Sequence, residues 1–226
     1  MALRRTVAVV STRDRDRWGK TLGALLPGNI VVQPHDRGTA AAILRPLLSI
    51  ARRDSCANVI LVPSRQLNSH VTLLRRDLAT AVDFLDTREK SILLLGVVPV
   101  GSHPGRDWIL PEGPDAAVQH VRALLDAPGL FRAAELRARG ALINSLVVAA
   151  RARDLVDAYI KTLPDLVFRF LPFAQPTGLG TDTVLQEFYR DLPALDFYRD
   201  VLGRCAAELF VLRVADRLPR APKLSA

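Results

Sequence analysis

The chain has 226 residues, of which 49% are hydrophobic, and a formal net charge of +8. This length suits one large or two small domains, and no apolar run reaches the roughly 20 residues that a membrane span needs. The N-terminus carries no export signal and the two cysteines, Cys56 and Cys205, form no disulfide scaffold, so we expect a cytoplasmic protein. Scattered arginines without a nucleic-acid module argue against nucleic acid and favour phosphate-bearing small molecules.

The first part of the chain predicts two strands and two helices. Residues 6–11 form a short apolar strand, and a charged segment then leads into a helix that ends at Pro27-Gly28. Residues 30–32 are β-branched and predict a second strand. A helix follows over residues 40–50, with Thr39 as its N-cap.

The turn at residues 33–39 reads Gln-Pro-His-Asp-Arg-Gly-Thr. Gly38 gives its backbone conformational freedom. A strand that opens into a helix N-terminus leaves N–H groups pointing outward, which is the geometry of an anion or nucleotide site. The alternative is an ordinary strand-to-helix turn without a ligand. His35, next to Asp36, is either exposed to solvent or part of a pH-sensitive contact.

Residues 33–43, with the pattern Gln-Pro-x-x-Arg-Gly-Thr-Ala-x-Ala-Ile, resemble the base-contacting turn of bacterial mannose-1-phosphate guanylyltransferases. Weaker similarity to this sugar nucleotidyltransferase family continues in order from about residue 5 to about residue 214. The resemblance implies transfer of GMP from GTP to mannose 1-phosphate, with release of diphosphate. It places base contacts at Gln33, Gly38 and Thr39, with Arg37 also in the substrate site.

Strands and helices alternate through the middle of the chain. Apolar runs at residues 57–63 and 91–99 are typical of strands buried on both faces, and residues 71–85 carry the apolar stripe of a helix. The alternation favours an α/β fold with a largely parallel sheet. With the resemblance, it predicts a Rossmann-like (GT-A-like) domain over residues 1–216 that lacks the first βα unit. Residues 217–226 are expected to be a disordered tail.

Two further stretches resemble the parts of the family that bind the sugar phosphate. In the loop at residues 101–114, Arg106 and Asp107 replace an aromatic residue and a glycine, and Trp108 either lines the cleft or anchors the loop on the core. After a predicted strand at residues 117–125, the family has Glu-Lys-Pro, whose Lys meets the phosphate. Asp126 could replace the Glu, but Ala127 carries no charge.

The second-best match covers residues 140–149 and resembles Gly-x-Leu-Trp-Asn-Ser-x-x-Phe. It implies that Asn144 hydrogen-bonds the sugar, because an amide both donates and accepts. The alternative is a polar residue at a strand start whose side chain is satisfied by the backbone. Helices are predicted next at residues 151–163, 167–173 and 183–189. Asp196 is then expected to cap a helix within a Leu-Pro-x-x-Asp-Phe pattern, before a last strand at residues 208–214.

The three elements that bind triphosphate and metal in the family are not intact in this sequence. The glycine-rich loop is missing, since Met1 aligns with the start of the family's second strand. Arg65 stands where a metal-binding Asp is expected, and the later Trp-Ser-Asp motif is missing; the alternative that Asp216 is a displaced carboxylate is not the one we favour. Magnesium is expected for the family, but no ligand for it is found. No catalytic or metal-binding residue is therefore assigned.

The sequence predicts a truncated, degenerate family member that is catalytically impaired or inactive. Three alternatives remain: an active transferase that uses other residues, a non-catalytic nucleotide-binding or regulatory subunit that pairs with an intact paralogue, and a decayed or mis-started reading frame. The missing first strand would leave a sheet edge or core groove open, which predicts a homo- or hetero-oligomer. The expected ligands are a nucleotide or a sugar phosphate, with no membrane partner.

Overall fold

The computed structural model describes residues 3–13, 22–63, 71–101, 103–113, 115–174 and 182–214. The chain divides into two compact units. The first comprises residues 1–57 and 155–204, and the second comprises residues 58–154 and 205–226. The predictions made for Arg65, Asp216 and the tail at residues 217–226 lie outside the described residues.

The described residues form eight strands and six α-helices. Most lie where the apolar patterns predicted them, with ends that shift by a few residues. None of these helices is long and apolar enough to cross a bilayer. In chain order the elements are β1 (Ala8–Ser11), β2 (Ile30–Gln33), α1 (Gly38–Arg53), β3 (Asn58–Leu61), α2 (Val71–Thr87), β4 (Ile92–Val97), β5 (Trp108–Glu112), β6 (Val118–Leu125), α3 (Leu130–Ala138), β7 (Leu142–Arg151), α4 (Ala152–Thr162), α5 (Pro164–Phe170), α6 (Asp182–Arg190) and β8 (Leu209–Val214).

The first unit combines a small sheet with helices α1, α4, α5 and α6. Its strands β1 and β2 are parallel, with Ala8 opposite Ile30. The α1 helix buries Ala40, Leu44 and Leu47 along one face, which is the helical spacing that makes an amphipathic sequence pack on a core. Tyr159 of α4 stacks on Phe197 at 5.7 Å between ring centroids. These contacts place the start of α1 in the core of this unit.

The second unit contains a six-stranded sheet in the order β3-β7-β4-β8-β6-β5. Within the described residues its only parallel pair is β4 with β8. β5 also pairs with β7, through Trp108 opposite Ile143 and Ile109 opposite Leu142. This pairing closes a mixed, five-stranded barrel with β3 outside it. The predicted Rossmann-like, largely parallel sheet is therefore wrong, because apolar runs indicate burial of a strand but not its direction.

A bulge bends β7 in the middle. Leu94 of β4 is opposite Val148, whereas Gly96, two residues further on, is opposite Asn144. Leu146, between these two β7 positions, has a positive φ of 62°, which is uncommon for a residue other than glycine. Gly96 is needed beside the bulge, since a Cβ there would lie 2.7 Å from Leu142 Cδ1. Asn144 is therefore the last residue of β7 paired with β4 before the bulge.

Three local predictions differ from the structure or are refined by it. The run at residues 57–63 gives β3, which pairs only with β7 among the described strands and leaves Asn58 exposed. Thr39 is not the N-cap, because α1 already begins at Gly38 and no side chain caps it. Asp196 does cap the turn of π-helix that follows it, by accepting a 2.9 Å hydrogen bond from the Arg199 N–H.

Candidate functional site

The turn between β2 and α1 is held against residues 195–197 of the same unit. The Ala40 N–H donates to the Leu195 carbonyl at 3.0 Å, and the Leu195 N–H donates to the Arg37 carbonyl at 3.2 Å. Gly38 has a φ of +79°, and a Cβ there would lie only 2.2 Å from the Leu195 oxygen. Only glycine therefore fits at this position.

The hydroxyl of Thr39 is used inside the protein. It donates to Asp196 Oδ2 at 2.9 Å and accepts from the Phe197 N–H at 2.8 Å. The Gly38 N–H donates to Asp36 Oδ1 at 3.1 Å. These groups stabilise the turn through internal hydrogen bonds, so the Gly38 N–H is not one of the outward-pointing backbone donors that the sequence suggested.

The Arg37 side chain binds the C-terminal end of α6. Its Nε donates to the Tyr189 carbonyl at 2.8 Å, and one of its terminal nitrogens donates to the Arg190 carbonyl. The last carbonyl groups of a helix lack partners within the helix, and a basic side chain satisfies them well. Arg37 therefore links the turn to α6.

Asp200 completes the network under the turn. Its Oδ2 accepts from the Asp196 N–H at 2.7 Å, and the Arg199 guanidinium donates to both carboxylate oxygens at 3.0 and 2.9 Å. The hydrogen bond from Arg199 is the main cause that lowers the pKa of Asp200, and burial opposes it. Asp200 is therefore charged at neutral pH.

Gln33 differs from the other residues of the turn because it is buried. It is 6% exposed, and its Nε2 has no hydrogen-bond partner within the described residues. The Tyr189 hydroxyl, also buried, has none in hydrogen-bonding geometry either. Burial raises the pKa of Tyr189, and the neighbouring Arg45 and Gln33 side chains partly offset the rise. Two buried polar side chains, Gln33 and Tyr189, therefore lie on the inner side of the turn.

In the second unit, Asp107 joins two of the stretches that resemble the sugar-phosphate site. Its carbonyl accepts from the Asn144 N–H at 2.8 Å, and its Oδ1 accepts from the Ala127 N–H at 3.1 Å. The replacement of the family's glycine by Asp107 therefore supplies a side chain that fixes the loop around Ala127.

The oxygen of the Asn144 carboxamide accepts a hydrogen bond, whereas its nitrogen makes none among the described residues. Its Oδ1 accepts from the Leu146 N–H at 2.9 Å, which supports the bulge in β7. Asn144 is 6% exposed, and among the described residues its Nδ2 makes no hydrogen bond. The backbone thus satisfies the oxygen, as one sequence alternative had it, while the nitrogen keeps its two donors.

Trp108 does not line a surface. It is fully buried in β5 and packs with Ala133, Leu136 and Ile143 in one core cluster. The anchoring interpretation is therefore the one that agrees with the structure. Arg106, two residues before it, is exposed.

The structure brings together some predicted site residues and not others. Gln33, Arg37, Gly38 and Thr39 lie on one turn of the first unit, and Asn144 belongs to the second. Sequence analysis found the turn at residues 33–39 and the Leu-Pro-x-x-Asp-Phe pattern separately. It did not predict that Thr39 of the first contacts Asp196 of the second. Within the described ranges, no three His, Cys, Asp or Glu residues are grouped so that they could hold a metal ion.

Comparison with known proteins shows which solved structures have a similar fold. No protein-family model and no curated protein matches the chain. Among solved structures, it is similar to a mannose-1-phosphate geranyltransferase from Thermus thermophilus, with a TM-score of 0.77 and 18% identity over 92% of this chain and 58% of that one. A mannose-6-phosphate isomerase from Helicobacter pylori gives 0.68 and 14% over 92% and 82%. The chain therefore shares the fold of these two proteins over 92% of its length.

Proposed function

We propose that the chain is a sugar-phosphate nucleotidyltransferase family member that binds a nucleotide or a sugar phosphate and is impaired in nucleotidyl transfer. The main support is the fold that 92% of the chain shares with the mannose-1-phosphate geranyltransferase from Thermus thermophilus. The chain spans about 58% of that protein's length. The activity and substrates of this chain are therefore proposals. The reaction implied by the resemblance is GMP transfer from GTP to mannose 1-phosphate.

Within this proposal, the residues of the turn have different roles. Gln33 is the proposed base contact, as the resemblance implies, and its side chain would have to become accessible for a base to bind, because it is only 6% exposed. Gly38, Thr39 and Arg37 hold the turn in place through their contacts with Leu195, Asp196 and Tyr189. Their contribution to binding is therefore indirect.

Asn144 is the proposed sugar contact. Its committed oxygen holds the carboxamide in one orientation, so the nitrogen presents donors to the oxygens of a sugar hydroxyl or phosphate. The neighbouring Ala127 provides only a backbone N–H, which Asp107 already binds. We therefore expect weaker binding of the sugar phosphate than a lysine would give at this position.

Impaired transfer is proposed from the chemistry of Arg65. Nucleotidyl transfer brings two anions together, and magnesium in the family offsets their charge. A guanidinium has donors only and cannot bind a cation, so the residue present does not fit magnesium at that position. We derive no catalytic step through a metal in this chain.

Two measurements test the proposal. Isothermal titration calorimetry with GTP, GDP-mannose and mannose 1-phosphate measures binding, and a coupled assay with GTP, mannose 1-phosphate and magnesium measures diphosphate release. We expect saturable binding of at least one ligand, with release far below that of an intact family member. A folded chain that binds none of the three would contradict the proposed function, and rapid release would contradict the impairment.

The second candidate is a non-catalytic subunit that regulates an intact paralogue. Arg65 favours it, because a chain that binds ligand but cannot bind magnesium at this position can still report ligand levels to a partner. Co-expression with an intact paralogue tests this role. Co-purification and a changed transfer rate would support it, and two separate elution peaks with an unchanged rate would exclude it.

A further inference from the structure

Three polar residues lie next to one another at the edge of the second unit's core. The pairing of β5 with its two antiparallel neighbours sets three apolar residues opposite one another, namely Leu125, Trp108 and Ile143. The next position of the same register has Asp107 between Asp126 and Asn144. The 2.8 Å hydrogen bond from the Asn144 N–H to the Asp107 carbonyl continues the pairing of β5 with β7. Asp126, Asp107 and Asn144 are called the polar row below.

The polar row lies on the face of the sheet opposite the Trp108 cluster. Successive side chains along a strand point to opposite faces, and Trp108 packs with Ala133 and Leu136 of α3 on its own face. Exposure rises along the row, because Asn144 is 6% exposed, Asp107 is half-buried and Asp126 is exposed. The row is therefore open to solvent at Asp126 and becomes more buried toward Asn144.

The groups of the polar row match the hydrogen bonding of a hydroxyl. Asn144 Nδ2 makes no hydrogen bond among the described residues, whereas its oxygen accepts from the Leu146 N–H. A buried donor without an acceptor is rare in native proteins. One oxygen of Asp107 accepts from the Ala127 N–H at 3.1 Å, and the carboxylates of the row can only accept. A sugar hydroxyl, which both donates and accepts, can bind the amide and a carboxylate at once.

The charge around the polar row is unfavourable for a phosphate. Two of its three residues carry carboxylates. The row continues through Gly96, which is opposite Asn144 in β7 and opposite Arg213 in β8. Arg213 is ion-paired with Asp115, and it lies two strands from Asn144, about 10 Å away. Asp107 is only one strand away, so the nearer charge is the negative one.

We propose that Asp107, with Asp126, determines specificity at this site, which takes an uncharged sugar unit through its hydroxyls and disfavours a phosphate dianion beside Asn144. The inference rests on the proposed role of Asn144 as the sugar contact. A phosphate offers no donor to the carboxylates and is repelled by their charge. The resembled family has a glycine at position 107 and a lysine at position 127, so this preference belongs to the present chain.

Asp107→Asn tests the preference, because it removes the charge and keeps an oxygen for the Ala127 N–H. NMR titration with mannose and with mannose 1-phosphate follows the side-chain amide signal of Asn144, which is assigned by its loss in Asn144→Asp. We expect the wild type to bind mannose at least as tightly as mannose 1-phosphate. The variant should bind mannose 1-phosphate about fivefold more tightly and mannose as before. Added salt should also strengthen wild-type binding of mannose 1-phosphate, since it screens repulsion.

Asp83→Asn is the matched control, since it removes an equal charge from an exposed position of α2 and should leave both affinities unchanged. An unchanged mannose 1-phosphate affinity in Asp107→Asn would overturn the inference and leave the proposed function standing. So would wild-type binding that weakens with salt, as expected if the exposed Arg106 held the phosphate.

Two further outcomes separate the inference from the proposed function. A folded wild type that binds GTP but neither sugar would overturn the inference alone. One that binds none of GTP, GDP-mannose and the two sugars would overturn both. If Asp107→Asn does not fold, Asp126→Asn removes the exposed carboxylate of the row, and a wild-type affinity for mannose 1-phosphate in that variant would overturn the inference.

Discussion

The two motifs that carry the family resemblance use their polar groups in opposite ways. In the turn of the first unit, Gly38 and Thr39 direct their hydrogen-bonding groups to Asp36, Asp196 and Phe197. In the β7 bulge of the second unit, Asn144 binds the backbone through its oxygen and keeps its amide nitrogen uncommitted. Resemblance alone did not distinguish polar groups that are hydrogen-bonded inside the protein from an amide nitrogen that is not.

The difference has a physical origin in the two backbones. A turn with a positive φ at Gly38 and a 2.2 Å approach to Leu195 must be held by its own side chains. In the β7 bulge, Asn144 Oδ1 accepts from the Leu146 N–H, and the Asn144 amide nitrogen takes no part in that contact. The following predictions test this contrast, from the largest expected effect to the smallest.

Gly38→Ala should have the largest effect on stability. The new Cβ would meet the Leu195 backbone and would force alanine into the left-handed region. We expect the free energy of unfolding to fall by about 3 kcal/mol or more, measured by urea denaturation. Gly28→Ala is the control, because a Cβ there meets nothing within 4 Å. Equal losses in the two variants would show that the turn does not pack as described.

Thr39→Val should have a smaller effect, specific for the hydroxyl. It removes the donor to Asp196 and the acceptor for the Phe197 N–H, so we expect a loss of about 2 kcal/mol. Thr39→Ser keeps both bonds and should lie near the wild type in thermal denaturation. A Thr39→Val variant as stable as Thr39→Ser would argue that the hydroxyl is available for ligand instead.

Asn144→Ala should destabilise the second unit by about 1 kcal/mol, because the Leu146 N–H loses its acceptor. Asn144→Asp keeps an oxygen at this position and should retain the bulge. Hydrogen exchange of the Leu146 amide measures the effect directly. Fast exchange in the alanine variant and slow exchange in the aspartate variant are expected, and identical exchange rates in both would contradict the assigned role of Oδ1.

Asp200→Asn should have a small effect that depends on pH. Since the Arg199 hydrogen bond lowers the pKa of Asp200 in the folded chain, the charged form stabilises the fold above the ordinary pKa of an aspartate. That stabilisation is lost as the pH falls through the lowered pKa. We expect the variant to be about 1 kcal/mol less stable at neutral pH and the gap to close in acid. A stability difference between the two proteins that stays constant with pH would contradict a stabilising role for the charged form of Asp200.

Most element positions could be predicted from apolar periodicity, because burial leaves a clear pattern in the sequence. Strand direction could not, since residues 91–99 and 140–149 are both strongly apolar, yet β4 and β7 run antiparallel to each other. The closure of the barrel depends on two residue pairs between β5 and β7, and no local pattern signals such a contact. Residues 101–114 were predicted to be a loop, and β5 was missed because its pairing with distant strands leaves no local pattern.

The site was predicted in part. Residues 33–39 and Asn144 were found by their resemblance, but the internal use of Thr39 depends on Asp196, which lies far away in sequence. Tyr189 carried no sequence signal, because an aromatic residue on an amphipathic helix reads as core. The structure shows that its hydroxyl is buried, which no sequence pattern indicated.

The central claim is that the uncommitted amide nitrogen of Asn144 binds a sugar ligand. The most direct test is calorimetric titration of GDP-mannose into the wild type and into Asn144→Asp, with equal thermal stability checked first. We predict saturable binding to the wild type and at least about tenfold weaker binding to the variant, which has lost the donor and gained a negative charge. Equal affinities in the two proteins, or no binding to the wild type, would contradict the account.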